Sequence, residues 1–292
     1  MSAFSNLELQ SYNILKEADL DWNVVKKPLF TRNDATFDKV PNQYALVRED
    51  SNDIISIVSE RYQPIQNHQI VEFFNRFAET SGAPMIPNCS RCSGHFKNKD
   101  IALFADLGLQ TNPDNEEHKF FLLARSGHYP GSALQILLST VRTVCTNQFN
   151  VIDAGQKGFF YSWHNVTFDQ IAQNRAKHTL DAARHFIKKF NEELRFLMAK
   201  PVNDSTAKAL LTDQFGDPTK TFADQPKLVT KSFEFFQNEP IGHQFKHEGT
   251  AYKLWNAVTE VIDRNPRGRG RSALIGMGQT AKHEFFNRLQ AA

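Results

Sequence analysis

Residues Phe168–Ala199 read FDQIAQNRAKHTLDAARHFIKKFNEELRFLMA, and this stretch decides the fold class. Ile171, Leu180, Ala183, Ile187, Phe190, Leu194 and Met198 recur mostly at three- to four-residue steps, the signature of one apolar helix stripe. Arg175, Lys177, Arg184, Lys188, Lys189 and Arg195 occupy the rest of the surface, and Pro201 ends the pattern. The spacing predicts a single long helix, amphipathic and basic. A helix with one apolar stripe needs a partner layer to cover that stripe.

The residues upstream supply such a layer. Gln43–Arg48 and Ile54–Val58 read as two strands joined by the polar turn Glu49–Asp53, a hairpin. The first forty residues, punctuated by Pro28 and Pro41, read as irregular. Asn67 is placed to cap a helix carrying Ile70, Val71, Phe73, Phe74 and Phe77, stopped by Gly82 and Pro84. Ile101–Leu107 and Lys119–Arg125 read as strands around the polar loop Gln110–Glu117, and Phe159–Trp163 as another. Ala133–Cys145 fits either a strand or a buried helix. Downstream, Ser205–Asp213, Ala251–Asp263 and Ala281–Leu289 read as shorter helices. The expected fold is α+β: a curved antiparallel sheet with hairpins packed by a long basic helix, plus a helical C-terminal region. The expected division is an α+β core over 1–200 and a helical region over 201–292.

Composition bounds the rest. The 292 residues are 40% hydrophobic, enough for one large core or two modest ones. No stretch reaches the roughly 18 apolar residues a membrane span needs. The opening residues show no basic segment followed by an apolar run, so no secretory signal is expected. Cys89, Cys92 and Cys145 are an odd set without a disulfide framework, which fits a reducing cytoplasmic compartment. The net charge of +2 conceals segregation: Phe168–Lys200 carries seven Lys/Arg against four Asp/Glu, and Arg264–Arg271 four arginines and no acid. The 25 phenylalanines are an excess that needs explaining.

Four segments in order, Arg61–Asn67, His128–Ser132, Arg142–Asn147 and Thr250–Glu260, carry a resemblance to a known group. The chain is similar, from about Trp22 to Glu260, to the phage- and plasmid-type proteins that include YfjQ, YafZ and YubP, a family of unknown function. Where that family usually has His-Asp-Gly-Ser, this chain has Tyr129-Pro130 between His128 and Gly131, which weakens any catalytic role for the aspartate. The resemblance implies a mobile-element setting and no reaction. The arrangement of hairpins, a crossing basic helix and a helical tail also resembles single-strand annealing proteins of the RecT and Red-beta type, at the level of fold.

Single-stranded nucleic-acid binding requires cations that follow phosphates and aromatic faces on which bases stack. Lys119-Phe120-Phe121, Lys157 with Phe159-Phe160-Tyr161, Lys231 with Phe233, and Lys282 with Phe285-Phe286 juxtapose the two. The competing reading is that such pairs are core anchors with solvated flanks. Arg264, Arg267, Arg269 and Arg271 alternate with glycine in a run suited to phosphate contacts, though such a run is equally a solvated loop. On the long helix Arg175, Lys177, Arg184, Lys188 and Lys189 are the candidate phosphate contacts, against the ordinary reading of a solvated outer face.

Other chemistries are weaker. Glu117-His118-Lys119 with Asp106 loosely fits a metal-dependent nuclease. Cys145 with His128 or His164 could form a thiol–imidazole pair, but a cysteine in an apolar run usually packs as a small hydrophobe. Cys89 and Cys92, with His95, have zinc-ligand spacing but lack a second cysteine pair; His243 and His247 would have to complete the set. No Gly-x-x-x-x-Gly-Lys-Ser/Thr loop is present, which argues against ATP-driven activity. His128, Arg142, Cys145 and Asn147 read by default as one buried polar network. The expectation is an ATP-independent, cofactor-free protein that binds and anneals single-stranded DNA, forms homo-oligomers and avoids membranes. The alternatives are a metal-dependent nuclease and a protein that inhibits a host defence system.

Overall fold

A computed structural model describes residues 13–34, 36–83, 100–115, 117–142, 148–150, 159–162, 169–238, 247–264 and 277–292. The fold is α+β with two antiparallel sheets and a helical C-terminal region. The first sheet holds β1 (Val24–Asn33), β2 (Thr36–Arg48) and β3 (Ile54–Ser59) in that order. The second has the order β4 (Asp100–Thr111), β5 (His118–Gly127), β6 (Leu134–Arg142), β7 (Gln148–Asn150), with β8 (Phe160–Ser162) also pairing β6. The helices are α1 (Asn67–Thr80), α2 (Gln170–Ala199), α3 (Asp204–Phe215), α4 (Lys227–Gln237), α5 (Ala251–Arg264) and α6 (Met277–Ala291). The chain divides into two compact units, the first formed by residues 1–107, 121–138 and 157–181, the second by the remainder.

In the first unit, the expected hairpin is β2–β3, with Gln43 opposite Ser59 and Ala45 opposite Ile57. The region expected to be irregular is instead strand β1 and the front of β2. Its prolines do not break the sheet because the register shifts between Pro28 and Phe30, so that Pro41 and Asn42 fall in the irregularity. Proline is tolerated where a ladder bond is already lost, and Asn42 takes a positive φ of 56° there. Helix α1 buries Ile70, Val71, Phe73, Phe74 and Phe77, as its periodicity predicts. Its N-cap is Gln66 rather than Asn67: the Gln69 side chain accepts from the Gln66 N–H at 2.9 Å. Gln66 in turn clasps β1, its amide meeting Val24 N at 2.9 Å and Val24 O at 3.0 Å. Ala133–Cys145, open between helix and strand, is strand through Arg142. Its Leu134–Ile136 segment pairs with β8, which places Phe160 4.6 Å from Phe73.

In the second unit the rear half of α2 lays Phe190 against Phe120 of β5 at 6.0 Å and Phe286 of α6 at 6.1 Å. Every residue of α5 from Ala251 to Glu260 is buried, including Lys253, Asn256, Thr259 and Glu260. A helix buried on all faces is a central element rather than a surface one. Helix α4 was not expected; Val229, Phe233 and Phe236 form its buried face. Asn203 caps α3 by accepting from Thr206 N at 2.9 Å. The phenylalanine excess is explained by the cores: Phe73, Phe74, Phe77, Phe104, Phe120, Phe190 and Phe285 are fully buried. Each contributes on the order of 1.5–3 kcal/mol by burial.

Candidate nucleic-acid interface

The cations expected on the long helix are at its surface. Arg175 and Lys177 are exposed in the first unit, and Arg184, Lys188 and Lys189 in the second. Arg184, Lys188 and Arg195 recur at steps of four and seven, so they share one helix stripe, while Lys189 faces elsewhere and pairs with Glu193 at 3.7 Å. The apolar stripe differs from expectation at its start: Ile171 is exposed, and Ala172 and Ala176 are buried in its stead. The Arg175 guanidinium lies 5.9 Å from the Phe160 ring, but that ring is itself core and offers no face for a base. Arg264 is the last residue of α5, and Arg267, Arg269 and Arg271 lie outside the described residues.

The lysine–phenylalanine pairs resolve toward the core reading. Phe120, Phe160, Phe233, Phe285 and Phe286 are all buried. Exposed aromatic rings occur elsewhere, on an arm that sequence reasoning passed over. Phe30 is 53% exposed and Phe37 70% exposed, both in the hairpin of β1 and β2. Phe30 lies opposite Lys39 and Arg32 opposite Phe37. Directly opposed residues of an antiparallel pair project from the same face, and so do residues two apart on one strand. Phe30, Arg32, Phe37 and Lys39 therefore share one face, with rings and cations alternating across the pair. The reverse face is knitted by hydrogen bonds: Asn33 Nδ2 donates to Asp38 Oδ2 at 2.7 Å, and Thr31 Oγ1 to the Asp38 carbonyl at 3.3 Å. Toward the sheet body Tyr44 continues the series, with Lys39 Nζ 5.8 Å and Lys26 Nζ 4.7 Å from its ring centroid. The usable signal in the sequence is Phe-x-Arg and Phe-x-Lys spaced by two on either side of Asn33-Asp34.

Beside the base of the arm a pocket of about 390 Å³ is lined by residues including Pro41, Ile57, Ser59, Tyr62 and Pro130. Pro130 follows His128 and Tyr129, and His128 is a buried node. Asn67 Nδ2 donates to the carbonyls of Leu20 at 3.0 Å and Trp22 at 3.1 Å, leaving its Oδ1 as acceptor. His128 Nε2, 2.7 Å from that Oδ1, is thereby the protonated ring nitrogen. Burial pushes the imidazole pKa down to about 4, so His128 is neutral near pH 7. The Ser56 hydroxyl donates to the His128 carbonyl at 2.8 Å, and the Trp22 ring lies 5.4 Å from the imidazole. Arg48 covers Trp22 at 4.7 Å. The node ties β3, α1 and the segment after β5 together. His128 is buried and hydrogen-bonded here through Asn67 and Ser56; of the residues expected to share a network with it, Cys145 and Asn147 lie outside the described residues, as does the side chain of Arg142.

In the second unit, His118 is buried, its Nε2 3.3 Å from the Tyr252 hydroxyl and its ring 5.8 Å from Phe190. It serves the core there, while Lys119 beside it is exposed. Among the described residues no group of three or more His, Cys, Asp or Glu is placed to hold a metal ion. Cys89, Cys92, His95, His164 and His243 lie outside them. No helix of the described residues is long and apolar enough to cross a membrane.

One family model, described as "Domain of unknown function (DUF932)", matches residues 54–288, most of the chain, which therefore belongs to that family. No curated protein and no solved structure matches it.

Proposed function

We propose that this chain, a member of the DUF932 family, binds single-stranded DNA without ATP and anneals complementary strands. The observation that carries this reading is the arm face bearing Phe30, Arg32, Phe37 and Lys39. Rings that are solvated in the free protein give bases a surface to stack on, each worth about 1–3 kcal/mol. The neighbouring Arg32 and Lys39 neutralise phosphates between stacked bases. Duplex DNA keeps its base faces covered, so stacking of this kind selects unpaired strands. The exposed stripe of Arg184, Lys188 and Arg195 supplies further phosphate contacts of the sequence-independent kind.

The phage- and plasmid-type setting of YfjQ, YafZ and YubP, and the fold-level resemblance to RecT and Red-beta proteins, support the recombination context and a homo-oligomer acting in the host cytoplasm. Neither supplies a catalytic residue, and binding alone suffices for annealing.

Fluorescence anisotropy with labelled single-stranded and duplex oligonucleotides, without ATP or magnesium, tests the proposal. The expected result is preference for the single strand, weakening steeply with salt, and loss of affinity in a Phe30→Ala/Phe37→Ala double variant. Equal affinity for duplex, or an unaffected double variant, overturns it.

A further inference from the structure

The pocket of about 390 Å³ beside the root of the arm lies within one compact unit, and its volume falls in the range of about 300–1,000 Å³ usual for small-molecule sites. Its apolar walls come from Pro41 of β2, Ile57 of β3, Tyr62 and Pro130. Both prolines are exposed and Ile57 is 50% exposed, so these walls meet water in the free chain. The amides of Asn42 and Gln43 line the same pocket. Neighbours in a regular strand project to opposite faces. Here Asn42 takes its left-handed φ of 56° where β2 slips against β1, which lets two consecutive residues serve one cavity.

The frame of the pocket is set without a ligand. The Asn42 carbonyl accepts from Glu60 N at 3.1 Å, tying the irregularity to the residue after β3. Lys26 Nζ donates to the Glu60 and Tyr62 carbonyls at 2.5 and 3.0 Å, which fixes the segment carrying Tyr62. A preformed cavity loses less entropy when filled than one that must first be assembled. Asn42 and Gln43 are exposed, and their side chains make no hydrogen bond among the described residues. Each offers an N–H donor and a carbonyl acceptor side by side. Among the described residues no ionised side chain lines the pocket, so it suits a neutral ligand. A nucleobase is neutral, has flat apolar faces and carries donors and acceptors along its edge. The carboxamide of Asn or Gln pairs at two points with adenine, accepting from the N6 amino group and donating to N7.

We propose that the pocket at the root of the arm is an adenine site, with the Asn42 and Gln43 amides reading the base edge and Pro41, Ile57, Tyr62 and Pro130 covering its faces. The site differs from the arm face, which stacks any base and distinguishes none. Recognition of adenine by the pocket stands by itself; arrival of that base on a DNA strand rests on the proposed function.

Ligand-observed NMR titration of the intact chain with adenosine, which carries no phosphate, reads the pocket without the strand. Saturable binding is expected, at least about fivefold tighter than that of inosine, whose carbonyl oxygen replaces the N6 amino group. This comparison is made on the wild type and needs no variant. Asn42→Gly, which keeps the left-handed backbone, combined with Gln43→Ala should remove the preference. No saturable adenosine binding, equal binding of inosine, or a preference that survives in the double variant overturns the proposal. Fluorescence anisotropy then assigns the source. Tighter binding of a mixed-sequence strand than of the same strand with deoxyinosine for each deoxyadenosine, dependent on Asn42 and Gln43, marks a base carried on DNA; no difference marks a free nucleoside. Strand binding without adenosine binding keeps the arm and removes the pocket, and adenosine binding without strand binding does the reverse.

Discussion

His128 Nε2 lies 2.7 Å from Asn67 Oδ1, a contact between the segment after β5 and the first residue of α1 that neither side chain could replace with water. Asn67 is fully committed, donating twice to the carbonyls of Leu20 and Trp22 while accepting from the ring. Deleting one member leaves buried polar atoms without partners, at a cost of about 1–3 kcal/mol.

The pH dependence follows from the neutral ring. In the unfolded chain a histidine takes up a proton near pH 6.5, whereas folded His128 resists protonation until about pH 4. Between those values the unfolded state binds the extra proton. Stability contributed by the neutral ring is therefore complete above about pH 6.5 and falls as pH drops toward 4, by roughly 3 kcal/mol in total. Denaturant melts at pH 7, 6, 5 and 4 should show this decline. A folded His128→Gln protein, less stable at pH 7, should decline less over the same window; an identical slope would remove His128 as its source.

The arm cations make a separate prediction. If Arg32 and Lys39 each neutralise a phosphate, converting either to Gln lowers the slope of log affinity against log salt by about 0.7, the value per contact on single strands. Their exposed position means melting temperature should hardly move. A slope that stays constant would place the phosphates elsewhere, with Arg184 and Lys188 the next to replace.

Gly216 is a steric prediction. A Cβ there would meet Gln225 Oε1 and lie 2.8 Å from the Thr212 carbonyl oxygen, which is backbone and cannot step aside. Gln225 is equally fixed: it accepts from Asp217 N at 2.8 Å and donates to the Asp217 and Lys220 carbonyls. Gly216→Ala is expected to destabilise the protein by about 1–3 kcal/mol, as overpacking does. Chemical denaturation measures it.

Lys282 has a fully buried side chain whose ammonium meets Asp263 Oδ1. Removing one residue takes a counter-charge away from the buried other, so Lys282→Met or Asp263→Leu alone should cost up to about 3–5 kcal/mol, while the double replacement should recover part of that loss. A double-mutant cycle by denaturant unfolding reads the coupling; additive losses would show the pair to be independent.

The long helix, the β2–β3 hairpin and the apolar face of α1 were legible because each repeats a period over enough residues to exclude the alternative. Strand β1 was not. Pro28 and Pro41 mark breaks in regular pairing, and only the opposite strand shows that both lie at one shifted register. The Lys–Phe pairs misled for a related reason: adjacency says nothing about direction, and Phe120 turns into the core while Lys119 turns out. On the arm the same residue types sit two apart, which in a strand does place them together. Asn67 looked like a helix cap because the residue type suits that role; its partners Leu20, Trp22 and His128 are 47, 45 and 61 residues away. No local pattern carries that information.

Strand β1 is one of the two outer strands of its sheet, and an outer strand carrying exposed phenylalanine is ordinarily a template for fibril growth. Pro28 withholds a donor from any incoming chain, Lys26 and Lys27 set like charges against a second copy, and the register shift twists the margin out of flatness. The arm can thus keep Phe30 and Phe37 in water without nucleating aggregation. Copies that associate must do so by a route other than pairing along β1.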